Sequence, residues 1–510
     1  MQRFIVSFLN LLTVALVLPE IVQSRSNPVG SFKLPLDKTH FLPNRSGIVH
    51  LHEWKFLDIA RECEEFLGPH GYAAVQTSPA NEYLIIPGRP WYERYQPISY
   101  KIKSRSGDAR DFLEMTRRCR KAGVLIHVDV VPNHMSGNTP TRQARGTAGS
   151  DDSVPSDFSY PGVPYNSSHF NHPTCGINNY DDLREARVCE MVGLHDLNQT
   201  IPYVQEKIAN FLNSLTAIGA AGFRVDAAKH MYPQDLKKIY SRLNPLSKEL
   251  RLADNAYPFI YQEVGDYWKF NYSFLGAVTE FAHPTNMAKF FKGASNANAL
   301  KNYGGPHMGM LPTESALIFV DNHDLQRQNS YTLNYKSPRE FTAAYVFTLA
   351  HPYGIPRVMS SFDFSSDQDG PPHDQSFNIE SPRFDANEQC KNGWVCEHRW
   401  PAIANMIAFR NSVGNSPLTN FKADDSKGTV SFCRGKKGFV LISAGSHDIN
   451  EKVATCLPPG VYCDSVAQNS VNKKCARSAQ IVVNEDGTAQ IDLPRNGKHL
   501  AVALHTGNKA

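Results

Sequence analysis

Residues 204–230 read VQEKIANFLNSLTAIGAAGFRVDAAKH. Val204, Ile208, Phe211, Leu212 and Leu215 recur at the spacing of one helical face, so the first half predicts an amphipathic helix. A glycine closes it, because glycine takes the left-handed C-terminal conformation without strain. The short apolar run GFRVD follows and ends in Asp226. The same unit stands twice upstream. Phe56, Ile59, Ala60, Cys63, Phe66 and Leu67 precede GYAAVQTSP (71–79), and Phe112, Met115, Cys119 and Ala122 precede GVLIHVDVVPNH (123–134). FIYQE (259–263) and ALIFVDNHD (316–324) are further strand candidates. Nearly continuous apolar strands alternating with helices imply a parallel sheet covered on its outside. This many units in a row point to an α/β protein with a (β/α)8 TIM barrel.

Working outward, the rhythm breaks between His134 and about Thr200, where the chain is polar and rich in Ser, Asn, Gly and Pro. An excursion leaving the third strand starts on the face where barrel enzymes hold their active sites. After Asn411 the pattern changes to short strands. GTVSFCRGKKGFVLISAG (428–445) and QIVVNEDGTAQIDLP (480–494) read as hairpins, the second turning at Asp486-Gly487. The expected division is a barrel from 25–133 and 201–411, an inserted loop-rich domain 134–200 and a C-terminal antiparallel β-sandwich 412–510. Residues 1–24 read as a secretory signal, with Arg3 ahead of an apolar run from Phe4 to Leu18.

At 510 residues the chain exceeds one ordinary core. A net charge of +4, with no long Lys/Arg run, does not support nucleic-acid binding. No later segment reads as membrane-spanning, so a secreted chain is expected, and with no coiled-coil pattern a monomer is the default. Secretion makes disulfides plausible for the ten cysteines. Cys175 and Cys189 bracket a polar segment, and Cys390 and Cys396 flank a short loop. Cys433, Cys456, Cys463 and Cys475 cluster near the end, so these eight could form four bridges. Cys63 and Cys119 lie on apolar helix stripes and read as buried thiols in slight preference to a bridge between them. N-x-S/T triplets occur at Asn44, Asn166, Asn198 and Asn271.

Three strands end in acids: Asp226, Glu263 and Asp324. Strand ends of a barrel converge on one mouth, so the three face one cleft. Glycoside hydrolysis with retention needs such a set, a carboxylate to attack the anomeric carbon and a protonated acid to donate to the leaving oxygen. The acid must be kept protonated by burial or nearby negative charge.

The strings VHLHEWKFLDIARECE, WYERYQPISYK, VDVVPNHMSG, AGFRVDAAKHM, FIYQEV, FVDNHDLQRQN and AHPYGIPRVMSSF give the chain a resemblance to the animal-type α-amylases of glycoside hydrolase family 13. The resemblance implies endo-hydrolysis of α-1,4 bonds in starch, glycogen and related α-glucans. Asp226 would be the nucleophile, Glu263 the acid and then base, and Asp324 the third carboxylate. Trp91, Tyr92, Tyr95, Gln96, His134, Lys229, His230 and His323 would bind substrate. Ca²⁺ would be held by Asn133, the carbonyl of Arg187, Asp196 and the carbonyl of His230, an all-oxygen set suited to a hard cation. Cl⁻ would be held by Arg224, Asn322 and Arg357. Without it, the two arginines would pull the proton affinity of Glu263 down. The chain also departs from the family. LQRQNSYTLNYK (325–336) lacks the glycine-rich loop of vertebrate members. Lys103 and Ser136 stand where relatives carry cysteine, which is read here as removing the usual partner of Cys63. Cys433 and Cys456 are additional and are expected to bridge. A non-catalytic amylase-like binding protein and an α-glucosidase of the same family are the competing readings.

Overall fold

The computed structural model describes residues 41–138, 145–149, 158–265, 270–327, 332–469 and 475–510. The expected signal segment, most of the polar stretch 139–157 and the middle of 325–336 lie outside them. Eight parallel strands close into a barrel: β1 (Ser46–Leu51), β2 (Tyr72–Thr77), β3 (Leu125–Val130), β4 (Gly222–Val225), β5 (Phe259–Gln262), β6 (Ala277–Thr279), β7 (Ala316–Ile318) and β8 (Ile355–Ser360). They pair in chain order, and β8 returns to β1 with Arg357 opposite Ile48. Around them lie α1 (Phe56–Glu62, continued by a π-helical turn Cys63–Leu67), α2 (Ala109–Lys121), α3 (Pro202–Ala217), α4 (Pro233–Tyr240), α5 (Ala282–Phe291), α6 (Pro338–Ala350) and α7 (Pro401–Val413).

Local chemistry fixes these elements. Asp108 caps α2 by accepting the N–H groups of Arg110 and Asp111, and the Asp111 carboxylate answers on the Asp108 N–H. Gly123 and Gly219, with φ of +77° and +101°, turn the chain from helix into strand. Gly222 meets a different need: a Cβ there would lie 2.6 Å from the Phe259 carbonyl and 2.8 Å from the His127 ring.

Side chains two apart on a strand share a face, and this period sorts the barrel interior into layers. The floor is apolar, formed by Ile48, Ala74, Leu125, Phe259, Ala277, Leu317 and Ile355. One step up the same strands come His50, Gln76, His127, Arg224 and Arg357, all buried. A further step up β3, β4 and β5 brings Asp129, Asp226 and Glu263. The barrel is therefore greasy at one end and charged at the other.

A first expectation is overturned at the cysteines. Cys63 and Cys119 are not thiols but a disulfide, with Cα atoms 5.0 Å apart. The apolar stripes that suggested buried thiols belong to α1 and α2, which pack side by side and bring both sulfurs to one seam. Cys175–Cys189, Cys390–Cys396, Cys433–Cys456 and Cys463–Cys475 complete the set, and no cysteine is left over.

The C-terminal part is all β. β9 (Leu418–Asp424), β10 (Thr429–Arg434), β11 (Gly438–Ser443) and β16 (Ala501–His505) form an antiparallel sheet in that order. The β10–β11 hairpin is as expected. The second expected hairpin is not a pair of partners. β14 (Gln480–Val483) pairs with β13 (Gly460–Cys463), and β15 (Thr488–Leu493) pairs with β12 (Ile449–Ala454). The two strands touch at their turn, where the Asn484 N–H donates to the Thr488 carbonyl at 2.8 Å, and then part. β15 alternates Ala489, Ile491 and Leu493 inward and matches six residues of β12, a longer register than the turn offered. Val440 and Ile442 of β11 join the barrel-side core while Phe439 and Leu441 face the C-terminal core, so this strand cements the two parts.

Candidate active site

Arg224 organises the mouth of the barrel. It is 1 % exposed, and its Nη1 reaches Asp129 Oδ1 at 2.7 Å, Asp129 Oδ2 at 2.8 Å and Asp226 Oδ1 at 2.7 Å. Its Nη2 lies 3.0 Å from Glu263 Oε1. One guanidinium thus holds three carboxylates from three adjacent strands. Ala227 follows Asp226 with φ of +49°, a left-handed backbone that costs a residue with a Cβ about 1 kcal/mol. That turn aims its N–H at Glu263 Oε2, 2.8 Å away. Strain at this spot therefore orients the acid.

The third acid stands across the mouth. His323 Nε2 is 3.4 Å from Asp324 Oδ2 and 2.9 Å from the Tyr95 hydroxyl, which itself donates to Asp129 Oδ2 at 2.9 Å. The three acids differ in openness: side-chain exposure is 9 % for Asp226, 22 % for Glu263 and 32 % for Asp324. Asp226 is the most enclosed, and the other two reach further into the cleft.

Four carboxylates share this pocket with Arg224 in contact and Arg357 nearby. Burial is the largest influence on each and pushes all of them up. Asp226 is held well above its ordinary value, by burial and then by Glu263 and Asp129 against the pull of Arg224. Asp324 is pushed up to about 7 by burial and by Glu263. Glu263 goes the other way. Arg224, the Ala227 N–H, His230 and Arg357 together outweigh its burial and leave it below the ordinary value. His134, lowered to about 4, and His230 and His323, lowered also, are neutral because burial disfavours their charged form.

The acids open into a cleft of about 580 Å³ whose walls include Trp91, Tyr92, Tyr95, Gln96, His134, Lys229, His230 and His323. Every expected substrate residue is therefore at the cleft. Trp91 is steadied by donating Nε1 to the Asp367 carbonyl at 2.8 Å, and Gln96 Oε1 accepts the Gly137 N–H at 3.2 Å. Asp129 was not singled out from sequence, although it stands inside the quoted VDVVPNH string. Its signal was a second polar residue, after His127, on the lumen face of a strand of apolar pattern. Tyr180, Met191, Val192 and Phe281 also line the cleft and had no signal, since they come from irregular segments.

Two further clusters flank the acids. Arg357 is 1 % exposed, donates to Gln76 Oε1 at 2.8 Å and stacks over Phe319 at 4.8 Å. It has no carboxylate partner among the described residues. Asn322 spends its Oδ1 on the N–H groups of Asp324 and Leu325, at 3.1 and 2.7 Å, which leaves its Nδ2 to donate. On the other side Asn133 Oδ1 is buried without a partner. Asp196, 3 % exposed, accepts from Asn171 Nδ2 at 2.7 Å, and burial raises it well above the ordinary value. His230 Nδ1 meets the Ala186 carbonyl at 2.7 Å, which places Arg187 beside the His230 turn.

A barrel with this acid set is a glycoside-hydrolase architecture. The family description "Alpha amylase, catalytic domain" matches residues 93–256, and "Alpha amylase, C-terminal all-beta domain" matches 421–505. An alpha-amylase-related protein of Drosophila varians is 47 % identical over 92 % of this chain and 95 % of its own length. That of Drosophila melanogaster is 46 % identical over 94 % and 97 %. Alpha-amylase I of Eisenia fetida, solved as an E249Q mutant with maltohexaose, superposes with a TM-score of 0.84 at 35 % identity, covering 92 % of this chain and 100 % of that one. The chain belongs to the α-amylase family, glycoside hydrolase family 13.

Proposed function

We propose that this protein is a secreted α-amylase that cuts internal α-1,4 bonds of starch and glycogen with retention. The observation that carries the reading is Arg224 holding Asp226 and Glu263 side by side at the foot of an aromatic-rimmed cleft. An Asp226 oxygen attacks the anomeric carbon while Glu263 gives its proton to the glycosidic oxygen, and the bond between them breaks. Glu263 then takes a proton from water, the water oxygen attacks the same carbon, and Asp226 is released. Arg224 aims the nucleophile and opposes the burial that favours its protonated form. Asp324 and the neutral His134, His230 and His323 hold sugar hydroxyls without adding positive charge. Trp91 and Tyr92 present faces to sugar rings. The maltohexaose bound by the Eisenia fetida relative supports an extended α-glucan substrate.

Two ions fit the residues present. Arg224, Asn322 Nδ2 and the carboxylate-free Arg357 would hold chloride. Bound there, chloride would screen the pull that keeps Glu263 low and return the proton to it. Asn133 Oδ1, Asp196 and the carbonyls of Arg187 and His230 would hold calcium. The orphaned Asn133 oxygen and the buried, cation-free Asp196 are the features that fit it. Five disulfides support an oxidising, extracellular setting. No helix among the described residues is long and apolar enough to cross a membrane.

The test is proton NMR of starch hydrolysis by the wild type and Asp226→Asn. Early α-anomeric ends on mid-size oligosaccharides, reduced by about 10⁴-fold or more in the variant, are expected for loss of a nucleophile. Glucose as the sole product would indicate an α-glucosidase. Equal inertness of both chains would leave a binding protein.

A further inference from the structure

Beside the turn that carries Trp91 and Tyr92, a second concavity of about 570 Å³ matches the catalytic cleft in size. α1 contributes Leu57 and Arg61 to it, one helical turn apart on one face. The segment after β2 contributes Ile85 and Arg89, and the strand Pro97–Ser104 leads in Lys103 and then Arg105. Leu57 and Ile85 are 44 % and 38 % exposed, large apolar side chains left open in the same hollow.

The charges around it do not cancel. Glu93 receives Arg89 Nε on both oxygens, at 3.0 and 2.8 Å, and is 3.7 Å from Arg105, so one carboxylate serves two guanidiniums. Arg89 is held by Glu93 and lies against Tyr83, so its guanidinium is turned inward rather than into the hollow. Lys55 is spoken for by Asp58 at 3.7 Å, and Asp111 is engaged at the α2 cap. Arg61 and Lys103 form no ion pair among the described residues.

Cations without counter-charge among the described residues, next to exposed apolar surface, suit a ligand that is anionic at one end and a sugar ring at the other. A neutral glucan would leave the charge of Arg61 and Lys103 unmatched, and a bare anion would leave Leu57 and Ile85 uncovered. We propose that this hollow binds a phosphate monoester carried on an α-glucan, with the phosphate at Arg61 and Lys103 and the ring against Leu57 and Ile85. The anion preference stands on the hollow alone, while the α-glucan carrier rests on the function proposed above.

The test is calorimetric binding to the full chain carrying Glu263→Gln, which stops turnover, with and without Arg61→Ser and Lys103→Ser. The probes are maltohexaose, maltohexaose bearing one 6-phosphate, and inorganic phosphate. The phosphorylated sugar should bind about tenfold tighter than the neutral one, as expected for one to two charge-assisted contacts. That gain should vanish in the double variant and shrink at high salt, while maltohexaose binding stays unchanged. Equal binding of the two sugars would overturn the proposal. So would inorganic phosphate binding as tightly as the phosphorylated sugar, which would mark a site for anions alone. Failure of the α-glucan reading shows separately, as loss of maltohexaose binding, and a phosphate gain that still needs Arg61 and Lys103 would then keep the hollow as a sugar-phosphate site.

Discussion

Arg357 is a full positive charge at the barrel centre with an amide and an aromatic face for company. Its effect on Glu263 is a downward pull, so Glu263 loses its proton at lower pH when nothing screens the arginine. The alkaline limb of the pH–rate profile should therefore move to lower pH in chloride-free buffer and return on adding chloride. Arg357→Gln should make that limb insensitive to chloride. Profiles that coincide with and without chloride would refute the anion assignment. A second buried group, outside the chemistry, offers a stability test. Glu397 accepts the Ser361 N–H at 2.6 Å on one oxygen, has no partner on the other and faces Asp321, and burial raises it to about 7 from 4.5. The folded chain thus keeps a proton that the unfolded chain has released. Stability from this group is full below about pH 4.5 and is lost as pH rises to about 7, on the order of 3 kcal/mol in all. Urea unfolding at pH 5 and pH 7.5 should show a smaller difference for Glu397→Gln than for the wild type.

Elements differ in how plainly the sequence announced them. α1, α2 and α3 were legible because each has an apolar stripe of three or more turns ending in glycine. β6 was not, since three residues, Ala277–Thr279, are too few to display a period. β1 and β8 stood out only through the family strings. The β14–β15 misreading has a clear cause: the Asp486-Gly487 turn is local and visible, whereas the partners β12 and β13 lie tens of residues away and nothing local names them. The cysteine reading failed for the same reason, because helical stripes show which side is buried but not which helix lies opposite. The site fared better, as its acids end strands and strand ends meet by construction, yet Asp129 needed the structure to reveal Arg224 as its partner. The α1–α2 bridge now carries a prediction. It spans 56 residues of sequence against 6 for Cys390–Cys396. Loop-closure entropy then assigns it about 4 kcal/mol and the shorter one about 2. Cys63→Ala with Cys119→Ala should lower the denaturation midpoint more than the equivalent pair at 390 and 396. The reverse order would mean that strain or denatured-state structure dominates.

At the scale of the whole molecule, residues 158–200 meet the barrel along a seam built on a shared apolar core that includes Tyr160, Tyr165 and Phe170, and on directed hydrogen bonds. The Asn133 carbonyl takes the Leu197 N–H at 3.0 Å and Gln199 Nε2 at 2.9 Å, and His230 meets the Ala186 carbonyl. Asp196 lies in this seam as a buried acid with no cation among its described partners, and an ionised carboxylate so placed destabilises the docked arrangement unless positive charge joins it. Calcium, held as proposed above, would supply that charge, so docking and calcium binding should be one equilibrium. At calcium a hundredfold above its dissociation constant the linkage is worth about 2.7 kcal/mol, which for a chain of this size moves Tm by roughly 3 °C. Chelation should therefore lower Tm by several degrees and speed proteolysis within residues 158–200, where Cys175–Cys189 alone cannot hold the segment to the barrel. Asp196→Asn removes the buried charge itself. It should weaken calcium binding while shrinking the penalty of chelation, because the neutral amide no longer needs a cation to stay docked. That pairing separates a seam held by calcium from one that merely contains a capping aspartate, for which chelator would leave both chains unchanged.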